Sequence, residues 1–216
     1  MNERIRPAGD PTSWGPAIDE AVNAIARGGL VVTPTDTVYG IAADAFAPQA
    51  VQALLDAKGR GRQMPPPVLI PEAGTMAGLA TDVSDAALAL ADAFWPGGLT
   101  IIVAAQPSLA WDLGETHGTV ALRVPDHDTA RALLRRTGPL AVSSANLSGS
   151  PAALTAGEAF DQLGESVTVY LDAGPTPGQV ASSIVDATTS TLRLVRAGAI
   201  SLEELREVAP IVGASR

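Results

Sequence analysis

The sequence predicts an α/β protein built on an open sheet with flanking helices, and three observations support that prediction. Helical patterns alternate with short apolar runs along nearly the whole chain. Two of those runs, at 30–32 and 139–142, pass straight into small hydrogen-bonding residues. Open α/β sheets use that arrangement at the carboxyl ends of their strands to hold ligands. With 216 residues, 46% of them hydrophobic, the chain can bury a substantial core in one large domain. No internal repeat, low-complexity tract or clear linker divides it, so a single domain over 1–216 is expected, with a core at about 15–200 and a C-terminal helix at about 201–209.

Ile18, Ala21, Val22 and Ile25 give Pro16 to Arg27 a helical apolar face, and Gly28-Gly29 close it. Leu30 to Val32 then form a buried strand, stopped at Thr33-Pro34 because proline cannot donate to a central ladder. Thr35, Asp36, Thr37 and Tyr39 crowd four hydroxyl or carboxyl side chains into five positions. They make either a turn whose threonines cap the next element or a binding loop, and Gly40 permits close backbone approach. Val51, Leu54 and Leu55 make Pro48 to Ala57 a helix that delivers Lys58. In Lys58-Gly59-Arg60-Gly61-Arg62 three cations alternate with glycines. An extended backbone would put all three on one face, able to converge on one anion; the plainer reading is a solvated loop.

After a triple proline, Val68 to Ile70 is an apolar strand. Ser84 caps a helix carrying Ala87, Leu88, Ala91, Phe94 and Trp95, with Trp95 in the core, and Leu99 to Ala104 is the next strand. In Thr119 to Val124, Val120, Leu122 and Val124 share one face and Thr119, Ala121 and Arg123 the other. Arg123 is the odd residue: ordinary at an edge or surface, but a carboxylate or phosphate ligand if its face lines a cleft. Asp128 to Thr137 is helical, with Ala130, Leu133 and Leu134 inward. Pro139 to Val142 runs into Ser143-Ser144-Ala145-Asn146-Leu147-Ser148-Gly149, which reads as a serine-rich turn or as small residues exposing backbone N–H groups to an anion. Thr155 and Glu158 fit a capping box for a helix to Leu163; Val167 to Leu171, Ser182 to Asp186 and Leu192 to Arg196 are strands; Ser201 and Glu204 box the last helix.

Composition narrows the function. Only 17% of residues are charged, the net charge is -9 and the pI is about 4.6. There is no broad basic face for tight, nonspecific nucleic-acid binding, so any RNA contact must be weak and local. The absence of cysteine excludes disulfides and thiolate metal sites, and the histidines, His117 and His127, are too scattered for a zinc cluster. No apolar run approaches the roughly 20 residues of a membrane span, and MNERIRPAGD lacks a signal peptide's hydrophobic segment. A cytoplasmic protein without membrane association is expected. No Ser/His/Asp or Cys/His arrangement is evident.

In order along the chain, PTDTVYG (34–40), KGRGR (58–62), WPGGLT (95–100), TVALRVP (119–125), SSANLSG (143–149), SSIVD (182–186) and LVRAG (194–198) resemble the successive motifs of the YrdC-like family of threonylcarbamoyl-AMP synthases. Any one motif is weak; the ordered set is specific. The resemblance implies a twisted, mainly parallel mixed sheet with flanking helices around a concave ligand pocket, in the short single-domain form. It implies that ATP, L-threonine and bicarbonate or CO2 become L-threonylcarbamoyladenylate and pyrophosphate, with Mg2+ assisting. Partner threonylcarbamoyl transferase proteins would then pass the group to adenosine beside the anticodon of tRNA.

Carried onto this chain, the resemblance makes Lys58 and Arg60 catalytic and gives them the phosphate and carboxylate, with Arg62 as a helper at ATP. Thr119, Ser144, Ala145, Asn146 and Arg196 would line the nucleotide site. Arg123 would grip threonine's carboxylate, with Thr35 or Thr37, Ser143 and Ser182 around its amine and hydroxyl. No protein ligand for a metal is assigned, and Mg2+ would arrive with ATP. The family's basic motif often reads KxRP, whereas here Arg60 is followed by Gly61-Arg62-Gln63-Met64 and the triple proline. Any lid should come from the chain's own loops, KGRGR first. Two alternatives stand beside this reading. One is a carbamoyl-adenylate-forming module of the carbamoyltransferase type, although its zinc-finger and acylphosphatase-like segments are missing. The other is a noncatalytic double-stranded RNA-binding protein using a patch of Lys58, Arg60, Arg62, Arg131, Arg135 and Arg136.

Overall fold

Val31 and Val32 are neighbours on one strand and point to opposite faces, and helices cover both faces. The computed structural model describes residues 3–213; the outermost residues of the expected domain, 1–2 and 214–216, lie outside that range. Its helices are α1 (Gly15–Ala26), α2 (Pro48–Ala57), α3 (Met76–Leu79), α4 (Asp85–Phe94), α5 (Asp128–Thr137), α6 (Ala156–Leu163) and α7 (Leu202–Val208). Its strands are β1 (Ile5–Pro7), β2 (Val31–Thr33), β3 (Gly40–Asp44), β4 (Val68–Leu69), β5 (Ala80–Thr81), β6 (Leu99–Ala105), β7 (Thr119–Arg123), β8 (Leu140–Ser144), β9 (Val169–Asp172), β10 (Ser183–Asp186), β11 (Leu192–Arg196) and β12 (Ile211–Val212). They form one open mixed sheet in the order β1-β9-β2-β3-β8-β4-β7-β6-β10-β11-β12, with β5 beside β6.

The mainly parallel sheet implied by resemblance is corrected here. Antiparallel pairs β2/β3, β3/β8, β8/β4 and β7/β6 occupy the middle, β10/β11 and β5/β6 are antiparallel as well, and β1/β9, β9/β2, β4/β7, β6/β10 and β11/β12 are parallel. The six residues from Pro34 to Tyr39 are too few for a parallel crossover, so the chain leaving β2 must return beside it, with Thr33 opposite Gly40.

In one half of the sheet, α1 and α5 pack on Val31, Ala42, Leu140, Val169 and Leu171, while α2 and α6 pack on Val32, Ile41, Ala43 and Tyr170. β3, unread in the sequence because glycine and alanine are poor strand formers, sits between these two helical layers, where small side chains fit. The other half is covered on one face only. There Ala87, Leu90 and Ala91 of α4 and Leu205 of α7 share a core with Leu99, Ile101, Val103, Leu122, Val185 and Leu194. Leu88, expected inward, is exposed, and Leu90 takes its place, because 87, 90, 91 and 94 form the continuous helical stripe. Trp95 is core as expected, its indole N–H donating to the Leu99 carbonyl at 2.7 Å.

Candidate active site

Strand alternation decides where the site lies. Leu99, Ile101 and Val103 of β6 point into the core, so Thr100 and Ile102 point the other way; on β7 the outward set is Thr119, Ala121 and Arg123. With no helical layer on this face, these side chains floor a cavity of about 1090 Å³, its open mouth included. The loops after β2 and α2, the end of β8 and the chain entering β10 supply the rim. Pro65, Pro66, Leu69, Leu113 and Val142 make part of the wall apolar.

Arg123, only 6% exposed, fixes the centre. Its Nη2 donates to Asp36 Oδ1 at 2.6 Å, Nη1 to the Thr37 hydroxyl at 2.9 Å and Nε to the Gly97 carbonyl at 2.9 Å. One hydrogen on each Nη therefore remains for a ligand. Burial pulls the guanidinium's pKa down and Asp36 pulls it back up. The Asp36 carboxylate also accepts from the Asp126 amide at 2.9 Å, which locks the loop after β2 to the end of β7.

The two candidate threonines separate. The Thr35 hydroxyl donates to the Val38 carbonyl at 2.6 Å and accepts from the Thr37 and Val38 amides at 3.1 and 3.3 Å, so it closes the turn. Thr37 touches Arg123 and, at 3.0 Å, Thr35, and so presents its hydroxyl beside the guanidinium. Across the cavity Arg60 Nη1 donates to the Ser143 hydroxyl at 2.9 Å, and Arg60 Nε is buried without a hydrogen-bond partner. Arg196 donates to the Ser182 carbonyl through Nε at 3.1 Å and Nη2 at 2.7 Å, and Ser182 meets Thr100 hydroxyl to hydroxyl at 2.8 Å. Burial depresses the pKa of Arg60 and Arg196, and at Arg196 the charges of Arg123 and Arg60 add to it. Three guanidiniums thus face one space that no carboxylate lines, and Asp36 beside it is already paired: the cavity is built for an anion.

Of the residues singled out from sequence, Thr35, Thr37, Arg60, Thr119, Arg123, Ser143, Ser144, Ser182 and Arg196 line this cavity, and Lys58, Arg62, Ala145 and Asn146 do not. The three cations of KGRGR do not share a face. Lys58 ends α2, Gly59 turns with φ +60, and the chain leaves in a new direction. Lys58 is buried against the loop after β8, Arg60 enters the cavity, and the exposed Arg62 pairs with Asp112. Of the basic patch weighed for RNA, Arg131 pairs with Asp126 and Asp128 and Arg136 with Asp19, so part of its charge is offset locally. Thr100 was missed; its signal was one hydroxyl in the apolar run LTIIV, in step with Ile102. Among the described residues no group of three His, Cys, Asp or Glu side chains could hold a metal, and none spans a membrane as a long apolar helix.

A family model described as "Telomere recombination", covering Sua5, YciO and YrdC, matches residues 23–198. The chain belongs to the Sua5/YciO/YrdC family. A Mycobacterium leprae relative named "Putative threonylcarbamoyl-AMP synthase" is 54% identical over 215 residues, covering 100% of this chain and 97% of that one. A Bacillus subtilis member, "Threonylcarbamoyl-AMP synthase", is 36% identical over 196 residues, 89% of this chain and 56% of its own length. The solved structure of Pyrococcus abyssi Sua5 complexed with L-threonine superposes with a TM-score of 0.91 at 31% identity, over 96% of this chain and 62% of that one. The mixed sheet with flanking helices around a pocket is therefore the Sua5/YciO/YrdC fold.

Proposed function

We propose that this Sua5/YciO/YrdC-family protein is an L-threonylcarbamoyladenylate synthase, a nucleotidyltransferase serving N6-threonylcarbamoyladenosine modification of tRNA in the cytoplasm. The observation that carries the proposal is the convergence of Arg60, Arg123 and Arg196 with the Thr37, Ser143 and Ser182 hydroxyls in one cavity. Its family relatives bear the matching name, which does not favour the carbamoyltransferase and RNA-binding readings.

In this reading the two Nη hydrogens that Arg123 has left take the carboxylate of L-threonine, and Thr37 receives its polar end. The amine nitrogen adds to the carbon of CO2 and loses a proton, giving a carbamate. A carbamate oxygen then forms a bond to the α-phosphorus of ATP as the bond to pyrophosphate breaks. Arg60 and Arg196 offset the charge on the phosphates, and fixed donors in a walled site do this without reorganising at the moment of transfer. Mg2+ would arrive as part of the MgATP substrate, and Asp36, beside the cavity, is held by Arg123 and the Asp126 amide. Threonylcarbamoyl transferase proteins are the partners that consume the adenylate.

The test is pyrophosphate release from MgATP and bicarbonate with L-threonine, with serine, or with neither. Release that depends on threonine, with the adenylate seen by mass spectrometry, supports the reading; release driven by carbamoyl phosphate, or none, sinks it. Arg60→Ala should abolish adenylate formation while leaving the circular dichroism spectrum unchanged, since Arg60 holds only the Ser143 hydroxyl.

A further inference from the structure

The Lys58 ammonium has three hydrogens and meets three oxygens. Nζ donates to the Ser144 carbonyl, to the Asn146 carbonyl at 2.6 Å and to Asn146 Oδ1 at 3.4 Å. The residue is 3% exposed and lies outside the cavity wall. Its own carbonyl accepts from the Ser148 amide at 2.9 Å, so backbone and side chain both grip the loop after β8. Asn146 is equally committed: its Nδ2 donates to the Leu147 and Ser150 carbonyls at 2.9 and 2.7 Å. Neither side chain retains a donor for a phosphate. What the pair does hold is the stretch carrying Ser143 and Ser144, which line the cavity, and Ser143 is the hydroxyl that Arg60 contacts.

We infer that Lys58 and Asn146 are positioning residues for the synthase reaction, a buried knot that sets Ser143 and Ser144 against Arg60, and that neither touches the triphosphate. This inference rests on the function proposed above. A lysine placed two residues before a cavity arginine would ordinarily be taken as a second phosphate ligand; here the turn at Gly59 sends the two side chains to different partners. The knot joins the end of α2 to the end of β8, so loosening it shifts one wall of the cavity, and misplacement by about 1 Å is enough to cost on the order of a hundredfold in rate.

The experiment compares wild type with Lys58→Met, Lys58→Arg, Asn146→Ala and the Lys58→Met/Asn146→Ala double variant. The readouts are kcat, and the dissociation constants of ATP and of AMP by calorimetry. A knot gives a tenfold or larger fall in kcat for each single variant, no further fall in the double, no rescue by arginine, and an unchanged ratio of ATP to AMP affinity. A phosphate ligand gives a selective loss of ATP affinity with AMP unaffected, partial rescue by arginine, and effects that multiply in the double; any of these overturns the inference. If Lys58→Met does not fold, Asn146→Ala decides alone: the knot requires its kcat to fall, and wild-type turnover overturns it. The outcome is separable from the function itself, because wild-type pyrophosphate release with threonine is measured in the same series.

Discussion

Removing Asp36 would strand Arg123. Arg123 is buried and Asp36 partly so, and taking away Asp36 leaves an uncompensated buried charge, so Asp36→Ala should lower stability by about 3 kcal/mol, the low end for a buried pair. The shift should appear in the denaturant midpoint, and an unshifted midpoint would show that Arg123 is solvated in solution. Replacing both residues by apolar ones, Asp36→Leu with Arg123→Met, should recover most of that stability while threonine-dependent turnover stays lost. Arg123 could be read from sequence because a lone arginine shares its strand face with Thr119 and Ala121, and it needed only a cleft beside it. The positions of Lys58 and Arg62 could not be read. Their placement depends on a left-handed glycine and on the acceptors of a loop some 86 residues away, neither of which a run of alternating cations records. Asp36 was visible as a crowded polar residue, but its partner was not, since the contact spans 87 positions.

Helix starts were legible because caps are local. Ser84, Thr155 and Ser201 each accept from the amide three residues on, and the Ser201 box closes reciprocally through Glu204. Strands chosen by their neighbours were less so: β3 and the short β1, β5 and β12 exist because something lies beside them to pair with. β3 begins at Gly40, where a Cβ would sit 2.6 Å from Val142 Cγ1 on the adjacent β8. Gly40→Ala should therefore cost about 1–3 kcal/mol by overpacking. Val142 also lines the cavity, so KM for a substrate should rise in the same variant. Trimming the neighbour, Val142→Ala in the Gly40→Ala background, should restore the unfolding midpoint; if it does not, backbone conformation rather than contact is responsible.

The α/β class was readable from alternation alone, whereas the order of the strands was not, because short connections and long ones leave similar traces in hydropathy. Charge divides in the same way between the whole and the part. The chain carries -9 overall yet turns Arg60, Arg123 and Arg196 into one space. With a screening length of about 10 Å at 0.1 M salt, the distant acidic surface is muted before the cavity is. Above that concentration the local attraction is the main term left to screen, so ATP affinity should fall as salt rises from about 0.1 M, a trend measurable by calorimetry; an affinity that keeps rising would mean that overall repulsion outweighs the local cations. The uncovered half of the sheet has a further consequence. On β6, Leu99, Ile101 and Val103 hold the molecule together while Thr100 and Ile102 face the cavity, and on β7 the parity is reversed, with Val120 and Leu122 in the core and Thr119, Ala121 and Arg123 toward the cavity. A saturation library across Leu99–Ala105 and Thr119–Arg123, scored separately for protein abundance and for tRNA modification in cells, should yield two interleaved records, each nearly blank where the other is dense. Natural variation could then retune the ligand along one comb of positions without disturbing the scaffold written on the other.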